Sequence, residues 1–107
     1  MNDVFIYRAK IHRWVDADTV DCLVDLGFSL YAKYRFRLLG IDAPEMRTDE
    51  GKAAKQFVCD TYPEGTQIVL ESHKQDSFGR WLGKLICEGV CINDALMEAG
   101  HAVKYDR

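Results

Sequence analysis

From Leu30 to Leu38 apolar and polar residues alternate: Leu30, Ala32, Tyr34, Phe36 and Leu38 project one way, and Ser29, Tyr31, Lys33, Arg35 and Arg37 the other. That is the period of a strand with one apolar and one polar face. Leu38, Leu39 and Ile41 form an apolar run interrupted by Gly40, which predicts a bend or bulge. Upstream, Val4–Val15 reads as a first strand with Val4, Ile6 and Ile11 apolar, and a change of register near Arg8-Ala9 predicts a bulge there. Thr19–Asp25 reads as a second strand with Val20, Cys22 and Val24 on one face, turned by Leu26-Gly27 into the third. Ala53, Ala54, Phe57, Val58 and Thr61 recur at helical spacing over Glu50–Tyr62, with Thr48 or Asp49 as cap and Pro63-Glu64-Gly65 as stop. Thr66–Glu71 and Gly79–Cys87 give a fourth and fifth strand, and Val90-Cys91 a stub. Ile92, Ala95, Leu96 and Ala99 mark a short helix with Asn93 near its cap and Gly100 as its stop, followed by a polar tail, His101–Arg107. Three strands in a meander, a helix, two more strands and a short C-terminal helix predict an α+β, mainly β chain built on a five-stranded OB-fold barrel.

Composition narrows this only slightly. The 107 residues suit one domain spanning 1–107, and the 48% hydrophobic content is that of a globular chain. No run approaches the ~20 apolar residues that a membrane helix needs, so no membrane partner is expected. Met1–Val4 lacks a basic stretch leading into an apolar core. The expectation is therefore a cytoplasmic chain, with secretion the alternative if a leader has been removed. Four cysteines lack paired Cys-x-x-Cys spacing and the three histidines are scattered, which argues against zinc. Cys22 and Cys59 fall at apolar positions and read as buried thiols, while a Cys87–Cys91 bridge stays open. The net charge of −3 excludes a nucleic-acid binder that relies on bulk positive charge. It leaves room for an enzyme with a small acidic pocket and a few arginines.

The candidate chemistry gathers where the third strand ends. Arg37 precedes Asp42-Ala43-Pro44-Glu45, a turn stiffened because Pro44 fixes its own φ and keeps Ala43 out of the helical region. Close carboxylates suit a hard divalent cation, and a guanidinium suits a phosphate. Asp16-Ala17-Asp18-Thr19-Val20-Asp21 starts like an EF-hand loop but lacks glycine at the sixth position and has Gly27 at the twelfth, so that reading fails. Asp16 or Asp18 bonding local amides in a turn, Glu45 solvated, and Arg37 and Arg80 on solvated strand faces are the ordinary readings of each residue alone. Their joint occurrence points to metal-assisted phosphate chemistry.

Asp16-Ala17-Asp18-Thr19-Val20, Phe36 to Glu45, Asp76-Ser77-Phe78-Gly79-Arg80, and Ile92-Asn93-Asp94-Ala95-Leu96 with Gly100 together resemble the staphylococcal nuclease (thermonuclease) family. The resemblance implies an OB barrel. It also implies Ca²⁺ held by Asp18, Asp42 and the backbone carbonyl of Ala43, with Glu45 as general base beside the metal-bound water. Arg37 and Arg80 would hold the scissile phosphate. Phe78 and Tyr105 fall where substrate-binding aromatics are expected, although Ser77 and Phe78 replace a lysine and a tyrosine of the best-known member, and Ala43 replaces a hydroxyl residue. The implied activity is a Ca²⁺-dependent endonuclease that cleaves the 5′-O–P bond of DNA and RNA, preferring single or locally open strands, with low sequence specificity because nothing resembles a base-reading element. The chief rival is a catalytically inactive, SNase-like module that binds nucleic acid or protein. A single-strand-binding OB domain, which expects a basic aromatic groove, is the other.

Overall fold

The computed structural model describes residues 4–105. Strands β1 (Phe5–Asp16), β2 (Thr19–Gly27) and β3 (Leu30–Leu38) form the expected meander, and the two-residue β4 (Ile41–Asp42) follows the Gly40 bend. Helix α1 (Asp49–Thr61), strands β5 (Gln67–His73), β6 (Trp81–Cys87) and β7 (Val90–Cys91), helix α2 (Ile92–Glu98) and strand β8 (Val103–Lys104) complete the order. The main sheet runs β3-β2-β1-β5-β6-β7, and β3 also pairs with β6. That contact is parallel, Phe36 opposite Trp81 and Leu38 opposite Gly83, and it closes the five long strands into the OB barrel.

The barrel fills from alternate positions of each strand, Ile11, Val20, Cys22, Val24, Leu38, Leu70 and Leu85 among them, with Ala54 and Val58 of α1 and Ile92 and Leu96 of α2 in the same core. Gly83 stands where a Cβ would come within 3.2 Å of Leu70 and Phe36 side-chain carbons, so the barrel interior leaves little room there. The Trp14 indole donates to the Tyr62 carbonyl at 2.9 Å and ties β1 to the end of α1. Helix α2 ends as its glycine predicts: the Gly100 amide reaches the Met97 carbonyl and the His101 amide reaches Leu96, a Schellman stop.

Several expectations need correction. The inward residues of β1 are Ala9, Ile11 and Trp14, with Ile6 exposed. No break falls at Arg8-Ala9; the register shifts lie at Ile11/Arg13 and Trp14/Asp16 instead. Reading Ile6 as a core residue misplaced the bulge. The β2–β3 turn centres on Phe28 and Ser29, both at positive φ, rather than on Leu26-Gly27. The outer half of β3 does not alternate, since Leu30, Tyr31 and Tyr34 are all exposed. In α1, Ala53 and Thr61 are exposed, and Ala99 is exposed after α2, so both apolar stripes are narrower than expected. Asn93 caps nothing: the residue before α2 is Cys91, and no side chain caps that helix. The polar tail contributes β8, which pairs with β4, and its last two residues lie outside those described.

All four cysteines are free thiols. Cys22 is buried as expected, whereas Cys59 is only half-buried. Burial, reinforced by the neighbouring Asp21 charge, pushes the Cys22 thiol up to about 12. Alkylation with iodoacetamide at mildly alkaline pH should therefore modify Cys59, Cys87 and Cys91 in the folded protein and reach Cys22 only after denaturation. Mass spectrometry of the labelled peptides reads this directly.

Candidate active site

A two-residue turn at Ala17-Asp18 joins β1 to β2, and the Asp18 amide donates to Asp16 Oδ1 at 3.2 Å. The turn is fixed to the end of β3, because the Leu38 amide donates to the Asp18 carbonyl at 2.8 Å. On the far side of the Gly40 bend, the Ala43 amide donates to Asp18 Oδ2 at 2.9 Å. One carboxylate thus fastens two turns separated by more than twenty residues of chain.

Arg37 lies between them. Its guanidinium pairs with Asp18 Oδ2 through Nη1 and with Asp42 Oδ1 through Nη2, the latter at 2.9 Å. Arg37 and Asp18 are each 8% exposed, which overturns the expectation of a solvent-facing arginine. Its side chain does point away from the barrel interior, but the two turns close over it. Burial pushes the Asp18 carboxyl up. Hydrogen bonds with Asp16 and the Ala43 amide, together with the Arg37 charge, outweigh that and hold it below the usual range. Asp16 responds oppositely: burial first, then its hydrogen bond with Asp18 and the adjacent negative charge, raise it to about 6.

The Pro44-Glu45 corner is held by its backbone. Thr48 is the N-cap of α1, its Oγ1 accepting from the Gly51 amide at 3.0 Å and donating to the Glu45 carbonyl at 2.6 Å. Gly51 packs so closely that a Cβ there would lie 1.9 Å from the Glu45 carbonyl oxygen and 2.9 Å from that of Pro44. Neither Gly51 nor the buried Asn93 was singled out in the sequence as supporting this region. Asn93 is 3% exposed and donates to the Leu39 and Gly83 carbonyls while accepting from the Leu85 amide, pinning α2 to the chain just before Gly40. The β4–β8 pair adds a strap, with the Tyr105 amide on the Gly40 carbonyl at 2.8 Å.

The structure therefore brings Asp18, Arg37, Asp42 and Ala43 together and places Tyr105 beside their turn. Glu45 stands apart, exposed, with its carboxylate 2.6 Å from Arg47 Nε. Arg80 immediately precedes Trp81, the register partner of Phe36, so it enters beside β3. Its guanidinium pairs with Asp76 at 2.8 Å and lies 5.3 Å from the centre of the Phe78 ring, itself 80% exposed. Among the described residues no three His, Cys, Asp or Glu side chains converge as a metal cage. Two carboxylates, Asp18 and Asp42, with a backbone carbonyl beside them, are nonetheless the oxygen donors a hard cation accepts when it keeps several waters.

The cluster thus sits at one strand end of a small closed OB barrel. The family model described as "Staphylococcal nuclease homologue" matches residues 35–107, and the chain belongs to that family. Asp18 lies ahead of the matched segment. A probable staphylococcal-like nuclease of Oryza sativa subsp. japonica is 35% identical over 81 residues, covering 73% of this chain and 24% of its own length. A staphylococcal-like nuclease of Arabidopsis thaliana is 32% identical over the same share of this chain and 25% of its own. An uncharacterized endonuclease of Escherichia coli O157:H7 is 26% identical over 94% of this chain and 62% of its own. The chain thus spans about a quarter of the plant relatives it matches.

Three substitutions test this arrangement. Arg37→Ala strands a buried carboxylate and should cost about 3–5 kcal/mol, whereas Arg80→Ala removes a half-exposed arginine and leaves Asp76 its bonds from the Phe78 and Arg80 amides, and should cost about 1 kcal/mol or less. Equal urea midpoints for the two variants would contradict the buried bridge. Gly51→Ala must push the Pro44-Glu45 corner outward and should destabilise by about 1–3 kcal/mol. A stability unchanged from wild type would mean that α1 does not rest on that corner.

Proposed function

We propose that the protein is a Ca²⁺-dependent endonuclease that hydrolyses DNA and RNA with low sequence specificity, cleaving the 5′-O–P bond. The observation that carries this reading is the buried Arg37 guanidinium held between Asp18 and Asp42, with Arg80 entering on the neighbouring strand. Asp18, Asp42 and the Ala43 carbonyl would hold Ca²⁺, which supplies a Lewis acid and a template for the diester.

The chain's own groups account for the remaining chemistry. A phosphodiester gains negative charge on its non-bridging oxygens as water adds, and Arg37 is the guanidinium placed to answer that charge once its hold on the two aspartates loosens. Arg80, hinged on an exposed loop, closes on the opposite side of the phosphate and stabilises the leaving 5′-oxygen. Glu45 takes the proton of the attacking water once its carboxylate leaves Arg47. Phe78 and Tyr105 offer aromatic surface to the sugar or base on either side. No base-reading element accompanies them, which fits low specificity.

One feature favours the rival, inactive binding module: each proposed catalytic side chain is already paired within the protein, Arg37 with the two aspartates, Glu45 with Arg47 and Arg80 with Asp76. An incubation of single-stranded DNA and RNA with Ca²⁺ or with EGTA separates the two. The expected result is calcium-dependent cleavage giving 5′-hydroxyl and 3′-phosphate ends, with kcat lowered on the order of 10²- to 10³-fold in a folded Arg80→Ala variant. Binding without cleavage in either buffer would leave the inactive module.

A further inference from the structure

Although the whole chain is acidic, its charges are segregated. Helix α1 carries Asp49, Glu50 and Asp60 against Lys52 and Lys55, and α2 carries Asp94 and Glu98 with no basic residue, so the helices are acidic on balance. The outer face of the first three strands is different. Cross-strand register sets Arg13 of β1, Asp21 of β2 and Arg35 of β3 in one row, and Lys10, Leu23 and Lys33 in the next. Arg13, Lys10, Lys33 and Arg35 are exposed, while Asp21 is 8% exposed beneath them. Arg35 binds Asp21 at 2.8 and 3.3 Å. That hydrogen bond, then the Arg35, Arg13 and Lys33 charges, hold the Asp21 carboxyl below its usual range. Arg13, Lys10 and Lys33 have no carboxylate within ion-pairing distance among the described residues. The outer side of β2 is thus a furrow with cations on both banks, and its carboxylates, Asp21 beneath them and Asp25 one row further along, are fewer than those cations.

The furrow leads to the candidate active site. The next row sets Thr19 opposite Arg37, so Lys33, Arg35 and Arg37 follow one another at alternate positions of β3. Alternate residues of a strand are about 6.6 Å apart on one face. That is close to the separation of successive phosphates along a polynucleotide strand. We propose that the β1–β3 outer face is a backbone track for one polynucleotide strand. It would seat the phosphates that flank the scissile one on Lys33 and Arg35, with Arg13 and Lys10 on the opposite bank. This deepens the nuclease reading and rests on it for the polarity toward Arg37. The cation spacing itself does not depend on catalysis.

The test uses the Arg13→Gln/Lys33→Gln double variant, with Lys33→Gln alone should the double fail to fold and the helical Lys52→Gln as control. Fluorescence anisotropy in EGTA, with a labelled oligothymidylate of about 16 nucleotides, reads binding without cleavage. Two lost phosphate contacts should make the slope of log affinity against log salt shallower by about 1.4, one contact by about 0.7, and Lys52→Gln should leave it unchanged. With Ca²⁺ present, the double variant should raise KM for long single strands while cutting a dinucleotide as wild type does. Unchanged salt slopes, or equal losses on long and dinucleotide substrates, would overturn the track. If no protein cuts any substrate but the slopes change as stated, the track stands and the nuclease reading falls.

Discussion

The site depends on one carboxylate. Asp18 takes the Ala43 amide on the same oxygen that meets Arg37, and its backbone carbonyl takes the Leu38 amide. A buried anion is stable only when its lone pairs and its charge are all answered. Here those answers come from the end of β3, from the turn beyond Gly40 and from its own hairpin. A hairpin and a stretch of chain more than twenty residues further on therefore share one electrostatic knot. The closed barrel makes this possible, because the β3–β6 pairing fixes where β3 ends and hence where Arg37 and the Asp42 turn must stand.

Around the knot the support is mostly backbone. Gly51 lets α1 rest directly on the Glu45 carbonyl, Thr48 bonds the same carbonyl while capping the helix, and Asn93 holds the strand just before Gly40. β8 straps the other side. The result is a tied, buried platform with Glu45, Arg47 and Phe78 exposed at its rim. A tied platform holds reacting groups in register, and an exposed rim leaves room for a substrate above it.

Much of this was legible in the sequence, and the misses have definite causes. The period-2 pattern of β2 and the helical period of α1 reflect burial on one face, so those elements and the barrel order follow from pattern alone. Asp18, Arg37 and Asp42 could be nominated together because their residue types share a chemistry, and the Ala43 carbonyl joined them only through the resemblance to the nuclease family. The burial of Arg37 could not be read, since alternation assigns it to the polar face and only the closure of two turns removes that face from water. Gly51 gave no signal either. Inside a helical pattern glycine reads as a mild defect, and its purpose appears only when the Glu45 carbonyl occupies the space of its missing Cβ. Val103-Lys104 carries too short a pattern to announce a strand, and β8 exists because β4 offers it an edge.

The buried bridge also constrains how the site can work. Arg37 cannot turn fully toward a phosphate while it is the counter-charge for both Asp18 and Asp42. A phosphate that draws it away leaves the buried Asp18 carboxylate, and to a lesser degree the half-exposed Asp42, short of positive charge, which is costly. On the proposed reading, Asp18 and Asp42 would hold Ca²⁺, whose charge would restore that balance and leave the guanidinium to the substrate. Cation and phosphate then each lower the free energy of binding the other, through the same side chain, and linkage requires the effect to be equal in both directions. The internal pairing that seems to argue for an inert barrel thus has a second sense. It keeps the charges of an empty site satisfied without adding residues that the loaded site would have to expel.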